Sequence, residues 1–256
     1  MKTLLTIWLC FVGLMGFAQI PGSLKPIAAN VESALSRGET FVPVLPFSNV
    51  VDIQRMDVPE EVRNSGWGLV PDLAVLENIE EQRPEYLSVT VPGRDNQMLT
   101  LLLYQVNVGT PDFQVVYSDG TVSHDVPGVH YRGIIQGDYN SLVSFSLYRD
   151  QIMAMIADDN GNWNLGQLEN PTPEHLHICY NDVDLASLNP FSCGMEDDLS
   201  PQENLDPPGH NPGQRDAGDC LRIWWEVGNS IVTSKGSGPA AVAWMTGVAA
   251  QVYTLY

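Results

Sequence analysis

The run NPFSCGMEDD, residues 189–198, sets a cysteine and a glycine at the mouth of an acidic stretch. A thiol in that place has three uses: it can be buried, it can pair, or as thiolate it can bind a metal. Cys193 has no obvious partner by spacing, so the third use stands beside the disulfide. A second cluster is HLHICY, residues 175–180. On a strand His175, His177 and Cys179 would share one face, and all are zinc-ligand types. Same-face strand positions splay too widely for a compact tetrahedral site. The favoured reading is therefore a sheet edge with two exposed imidazoles and a buried thiol. ADDNGNW, residues 157–163, offers carboxylates to calcium but lacks the spaced ligands and distal Glu of a calcium loop, and reads as a hairpin tip.

Other chemistry is not encoded in these residues. The histidines stand at 124, 130, 175, 177 and 210, and none lies in H-E-x-x-H. There is no G-x-S-x-G, no Walker loop and no paired C-x-x-C.

The chain opens MKTLLTIWLCFVGLMGFAQ, one lysine before an apolar run too short to span a bilayer with comfort. Small residues at Gly16 and Ala18 form a signal-peptidase site, so residues 1–18 read as a secretory signal cut after Ala18. Cys10 follows bulky Trp8 and Leu9, which argues against lipid attachment. No later stretch reads as a membrane span, and a secreted, extracellular product is expected. Loss of Lys2 with the signal takes the formal charge from −19 to −20. Such a charge argues against nucleic acid as a partner, because little in the chain would neutralise phosphates. Cys179, Cys193 and Cys220 remain, an odd number, so at least one thiol is unpaired here or has its partner elsewhere.

The elements that would position these residues follow from periodicity. From about Val42 to Leu168 short β-type runs alternate with turn residues. YLSVTVPG (86–93) places Leu87, Val89 and Val91 on one face. MLTLLLYQVNV (98–108), FQVVYSDGTVSHDV (113–126) and SLVSFSLYRDQIMAMIADDNGNWNLGQL (141–168) continue the pattern, with tight turns at Asp119-Gly120 and Asn160-Gly161. This predicts an antiparallel sheet domain, a sandwich or half-barrel. A short helix is expected over 27–38 and a helical turn ending at Gly66 over 58–66. Residues 194–219 carry seven acids and one basic residue, Arg215, among prolines and glycines, and read as an exposed linker. CLRIWWEVGNSIV (220–232) reads as a strand, with Glu226 a solvent-facing residue at its end or a ligand to a structural ion. Pro239 opens a helix with Val242, Met245, Ala249, Val252 and Tyr256 on one apolar face. A strand and one helix have nothing of their own to pack on, so a second domain is expected to begin at Cys220.

HYRGIIQGDYNSLVSFSLYRDQIMAMIADDNGNWNLGQL (130–168) resembles the propeptide core of reprolysin or adamalysin-type (ADAM-like) zinc metalloproteases, at Tyr131, Gly133, Gly137, Ser141, Ser144, Ser146 and Leu147. CLRIWWEVGNSIV and the helix after it resemble the first strand and helix of that family's catalytic domain. The resemblance spans roughly residues 86–256. It implies a signal at 1–18, a β-rich antiparallel propeptide domain at 19–193, an acidic linker at 194–219, and the opening of an α/β metzincin-like catalytic domain at 220–256. It further implies that Cys193-Gly194 is a cysteine switch. There a thiolate takes the place of the water that a catalytic zinc needs, and the glycine lets the backbone pass close to the cleft. The match at the switch is Cys-Gly alone, and a disulfide from Cys193 to Cys179, Cys220 or a cysteine elsewhere stays open. Zinc would be the cofactor, with most ligands outside this chain. The partners would be the downstream catalytic domain and the parent's protein substrates, with no nucleic acid and no membrane. Ala18 and Arg215 mark processing positions. The fragment itself is expected to be inactive. The competing reading is a non-catalytic secreted β-sandwich-type binding module.

Overall fold

A computed structural model describes residues 24–54, 58, 60–93, 97–168, 175–185 and 223–255. In chain order its elements are α1 (Pro26–Ser36), β1 (Val42–Val44), β2 (Phe47–Val51), α2 (Glu60–Ser65), β3 (Trp67–Pro71), α3 (Leu73–Gln82), β4 (Tyr86–Pro92) and β5 (Met98–Val106). There follow β6 (Val115–Val116), β7 (Val122–Ser123), β8 (Val129–Ile135), β9 (Asp138–Leu147), β10 (Ile152–Asp158), β11 (Gly161–Gln167), β12 (His177–Asn181), α4 (Asn229–Lys235) and α5 (Gly238–Leu255).

Ten strands form one sheet in the order β1-β4-β5-β8-β9-β10-β11-β12-β3-β2, and β6 and β7 form a separate small hairpin. Each pair in the large sheet is antiparallel except β1 with β4. The sheet is curled. Trp67 on the ninth strand in that order donates its indole N–H to the Gly93 carbonyl, just past β4, at 3.2 Å. One continuous core runs from Val44 on β1 through Leu103, Tyr131, Phe145, Ile156 and Leu165 to Leu69 on β3. The alternation in β4 holds as expected, with Leu87, Val89 and Val91 all buried.

The inner face is plugged by α3. Asp72 caps this helix by accepting from the N–H groups of Ala74 and Val75, and the chain leaves it at Arg83 in a left-handed conformation, φ +46°. Leu76 and Ile79 then point into the core. On the outer face, α1 covers one patch with Ile27, Ala28 and Val31 against Leu102 and Ile134. Its first turn carries Pro26, as a helix start favours. A third cluster sets Val62 of α2 against Ile53 and Ile178.

Two expectations for the C-terminal part are corrected. Residues 223–228 form no strand, and 229–235 are helical as α4, between Gly228 at its start and Gly236 at φ +82° at its end. The described strand order offers no neighbour for this segment, and Trp224 stands 83% exposed. A β-prone pair of tryptophans does not make a strand without a ladder to join. The helix with nothing of its own to pack on lies against β8, β9 and β10. Its buried face overlaps the expected one at Ala249 and otherwise differs, with Tyr256 outside the described residues. Ala241, Thr246, Gly247, Ala249, Ala250 and Thr254 face inward, whereas Val242, Met245 and Val252 stay partly exposed. Small residues win because the contact is close: a Cβ on Gly247 would lie 2.7 Å from the Met153 sulfur and 2.9 Å from the Tyr148 hydroxyl.

The tightest point of the sheet is Gly133, where a Cβ would sit 1.9 Å from the Leu102 carbonyl oxygen. Backbone cannot yield there, so Gly133→Ala is expected to cost about 3 kcal/mol. Gly166 is the control, because a methyl group there would meet nothing within 4 Å. Gly166→Ala should leave the urea midpoint within experimental error of the parent, while Gly133→Ala lowers it markedly.

Candidate functional site

The β12 cluster is not at a sheet edge. The strand runs between β11 and β3, pairing Cys179 with Leu165 on one side and with Trp67 on the other. His177 is buried rather than exposed. Its Nε2 accepts from the Ile152 backbone N–H at 2.9 Å, so its Nδ1 carries the proton and donates to the His175 carbonyl at 2.6 Å. Both ring nitrogens are spent. His175 adopts φ +60° and places Nδ1 3.2 Å from the Gln167 amide and 3.9 Å from an Asp150 oxygen. Cys179 is a free thiol, fully buried, and burial pushes its pKa up to about 12. Its sulfur is enclosed in the core and faces no solvent. The His175 ring faces Gln167 and Asp150, the His177 ring is bonded to backbone on both sides, and Cys179 lies in the core.

The 157–163 loop is the expected hairpin. Asp158 accepts from the Asn160 N–H at 2.6 Å, and Gly161 at φ +116° closes the turn between β10 and β11. Asp182 accepts from the Asn162 backbone and side-chain amide at 2.9 and 2.7 Å. These carboxylates serve as turn and strand-end acceptors. Among the described residues no group of three or more His, Cys, Asp and Glu is arranged to hold a metal ion.

A second buried histidine was not singled out by sequence reasoning. His130 on β8 and Ser146 on β9 are opposite one another on the outer face, under α5. The imidazole Nε2 donates to the Pro127 carbonyl at 3.1 Å, and Nδ1 accepts from the Ser146 hydroxyl at 2.9 Å. Its ring stands edge-on to Tyr148, 6.1 Å between centroids. Tyr148 donates to the Ala243 carbonyl of α5 at 2.6 Å and lies 3.3 Å from the Thr246 hydroxyl. Burial raises the Tyr148 pKa to about 12. The alternation His130-Tyr131-Arg132, with Tyr131 inward, was the available signal, since it places His130 on the face shared by Ser144 and Ser146.

Cys193, Gly194, Arg215, Cys220 and Ala18 lie outside the described residues, as do the signal and the linker. Glu226 is exposed and is not on a strand. No described helix is long and apolar enough to cross a membrane. Comparison with protein-family models and with curated proteins finds no match for the chain.

Burial holds His130 and His177 neutral and lowers each pKa from 6.5 to about 4. Protons therefore bind more tightly to the unfolded chain. The stabilisation is present above pH about 6.5 and is lost as the pH falls toward 4. Between pH 7 and 5 the unfolding free energy should drop by about 2 kcal/mol per ring. Denaturant titrations at both pH values check this, and a His130→Gln, His177→Gln double variant should lose most of that dependence.

Proposed function

We propose that the chain is the amino-terminal part of a secreted zinc metalloendopeptidase precursor of the reprolysin or adamalysin type. In this reading the β-rich domain is the propeptide, and Cys193 is the inhibitory ligand to a zinc ion. The carrying observation is where the residues of the resemblance fall. Tyr131, Gly133, Gly137, Ser141, Ser144, Ser146 and Leu147 all belong to the β8–β9 hairpin at the centre of the sheet. Gly133 meets the Leu102 backbone, Tyr131 donates to the Pro84 carbonyl at 3.0 Å, and Ser141 accepts from the Ile135 N–H at 2.8 Å. A motif whose members hold the core hairpin in shape is a motif of fold, and it supports a shared propeptide architecture.

The described residues do not fit a zinc ion, since His177 has both nitrogens engaged and the Cys179 thiol is buried and protonated. The reading therefore assigns the zinc to residues beyond this chain, with Cys193 as its one contribution. Cys179 also answers for the odd thiol of the sequence count. The choice for Cys193 narrows to the metal, Cys220 or a cysteine elsewhere. Arg215 would lie in the stretch cut on activation.

A second reading is favoured by one observation. The helix α5 is joined to the sheet through Tyr148, Ala243 and Gly247, so 238–255 packs as part of the β-rich body. That fits a secreted β-sandwich-type binding module of which α5 is a part.

Alkylation of the folded, unreduced chain separates the two. The precursor reading expects Cys193 to be labelled while Cys179 stays protected until denaturant is added. It also expects the chain to inhibit a mature adamalysin-type protease, with inhibition lost in Cys193→Ser. A Cys193–Cys220 disulfide, or inhibition untouched by Cys193→Ser, would remove the basis for the switch.

A further inference from the structure

We propose that the outer face of the sheet, between α1 and α5, carries a small-oxyanion site built on Arg132 with the hydroxyls of Ser144 and Tyr104 beside it. The three residues form one row across the ladder: Tyr104 of β5 is opposite Arg132 of β8, and Arg132 is opposite Ser144 of β9. Their neighbours Leu103, Tyr131 and Phe145 fill the inner core, so this row points outward. Directly opposed residues hold their Cβ atoms about 5 Å apart, so Arg132 stands with a Tyr104 neighbour on one side and a Ser144 neighbour on the other. On one side of the row lie Leu102, Ile134 and Leu142, against α1. On the other lie His130, Ser146 and Met153, against α5.

All three have hydrogen-bonding capacity that the described residues leave unused. The Ser144 hydroxyl is fully buried with no hydrogen-bond partner, and the Arg132 Nε is buried in the same state. Arg132 makes no ion pair among the described residues, in a chain with 31 acidic and 12 basic residues. Tyr104 accepts from the Asn30 amide at 3.1 Å, and its own proton goes to no described acceptor. The α1 carboxylate engaged on this face, Glu32, accepts from Tyr139 at 2.6 Å. The row thus offers one fixed positive charge and two hydroxyls, and lacks an anionic acceptor to balance the charge. Buried polar groups are rarely left in that state, and a part-buried cation is costly without a counter-charge. Arg132 as a whole is only partly buried, so a ligand from solvent can reach its guanidinium. A carboxylate, sulfate or phosphate supplies the missing acceptor oxygens and matches the planar fork of the guanidinium. Such a site would exist with or without any metalloprotease role for the chain.

The test is a titration of the full chain with acetate, sulfate or phosphate at constant ionic strength, following the arginine side-chain Nε–H resonances by NMR. Arg132→Gln identifies the Arg132 signal. The expected result is a saturable shift of that signal with at least one of the three anions, absent with chloride. Response to acetate alone assigns a carboxylate ligand, response to sulfate or phosphate alone a tetrahedral one, and response to all a general oxyanion site. Ser144→Ala should weaken binding by about tenfold, the loss of one charge-supported hydrogen bond. No saturable response of wild-type Arg132 to any of the three overturns the proposal, and this arm needs no variant to fold. Calorimetric binding of equal strength in folded Arg132→Gln overturns it as well.

Discussion

The β8–β9 pair is buried on both faces, and most of the architecture answers to that constraint. Inward, Tyr131, Val143, Phe145 and Leu147 fill the core. Outward, Ile134 and Leu142 lie in the cluster under α1, while His130 and Ser146 lie under α5. Most of the buried polar groups here bond to protein, with Arg132 Nε and the Ser144 hydroxyl as the exceptions. Tyr131 reaches the Pro84 carbonyl, His130 uses both ring nitrogens, and Ser141 bridges the irregular register by accepting from Ile135 and donating to the Asp138 carbonyl at 2.6 Å. Gly133 is where the backbone of β5 comes too near for any side chain.

Much of this was legible in the residues, and the failures have physical causes. Period-two alternation located β4 because its inner positions are apolar and its outer ones are not. The Asn160-Gly161 turn was readable because only a few residue types accept Gly161's backbone angle. The face of α5 was misread in part: Ala249 is buried as expected, whereas Val242, Met245 and Val252 are partly exposed. Contact through Gly247 demands small residues, a requirement set by Met153 and Tyr148 far away in sequence. β12 was taken for an edge because nothing local announces that β3, over a hundred residues earlier, returns to pair with it. The Trp224-Trp225 segment has strand-forming residues but no described ladder, and β propensity expresses itself only in pairing.

The cysteines show the same division between local and global information. Counting established that one thiol was odd, and spacing directed attention to Cys193. Burial identifies Cys179 as a thiol that neither pairs nor ionises, held by Trp67 and Leu165 on neighbouring strands. The case for Cys193 therefore rests on its setting beside Gly194 and on the resemblance of the β8–β9 hairpin, and no longer on arithmetic.

The attachment of α5 bears on what a proteolytic cut can accomplish. The helix is held to the sheet by side-chain and backbone contacts at Tyr148, Thr246 and Gly247, none of which belongs to the stretch from 186 to 222. Severing the backbone within that stretch would give a nicked complex, two chains still clasped together. Liberation of one from the other is then a dissociation step with its own equilibrium, sensitive to dilution and to whatever competes for the contacts of Tyr148 with Ala243 and Thr246.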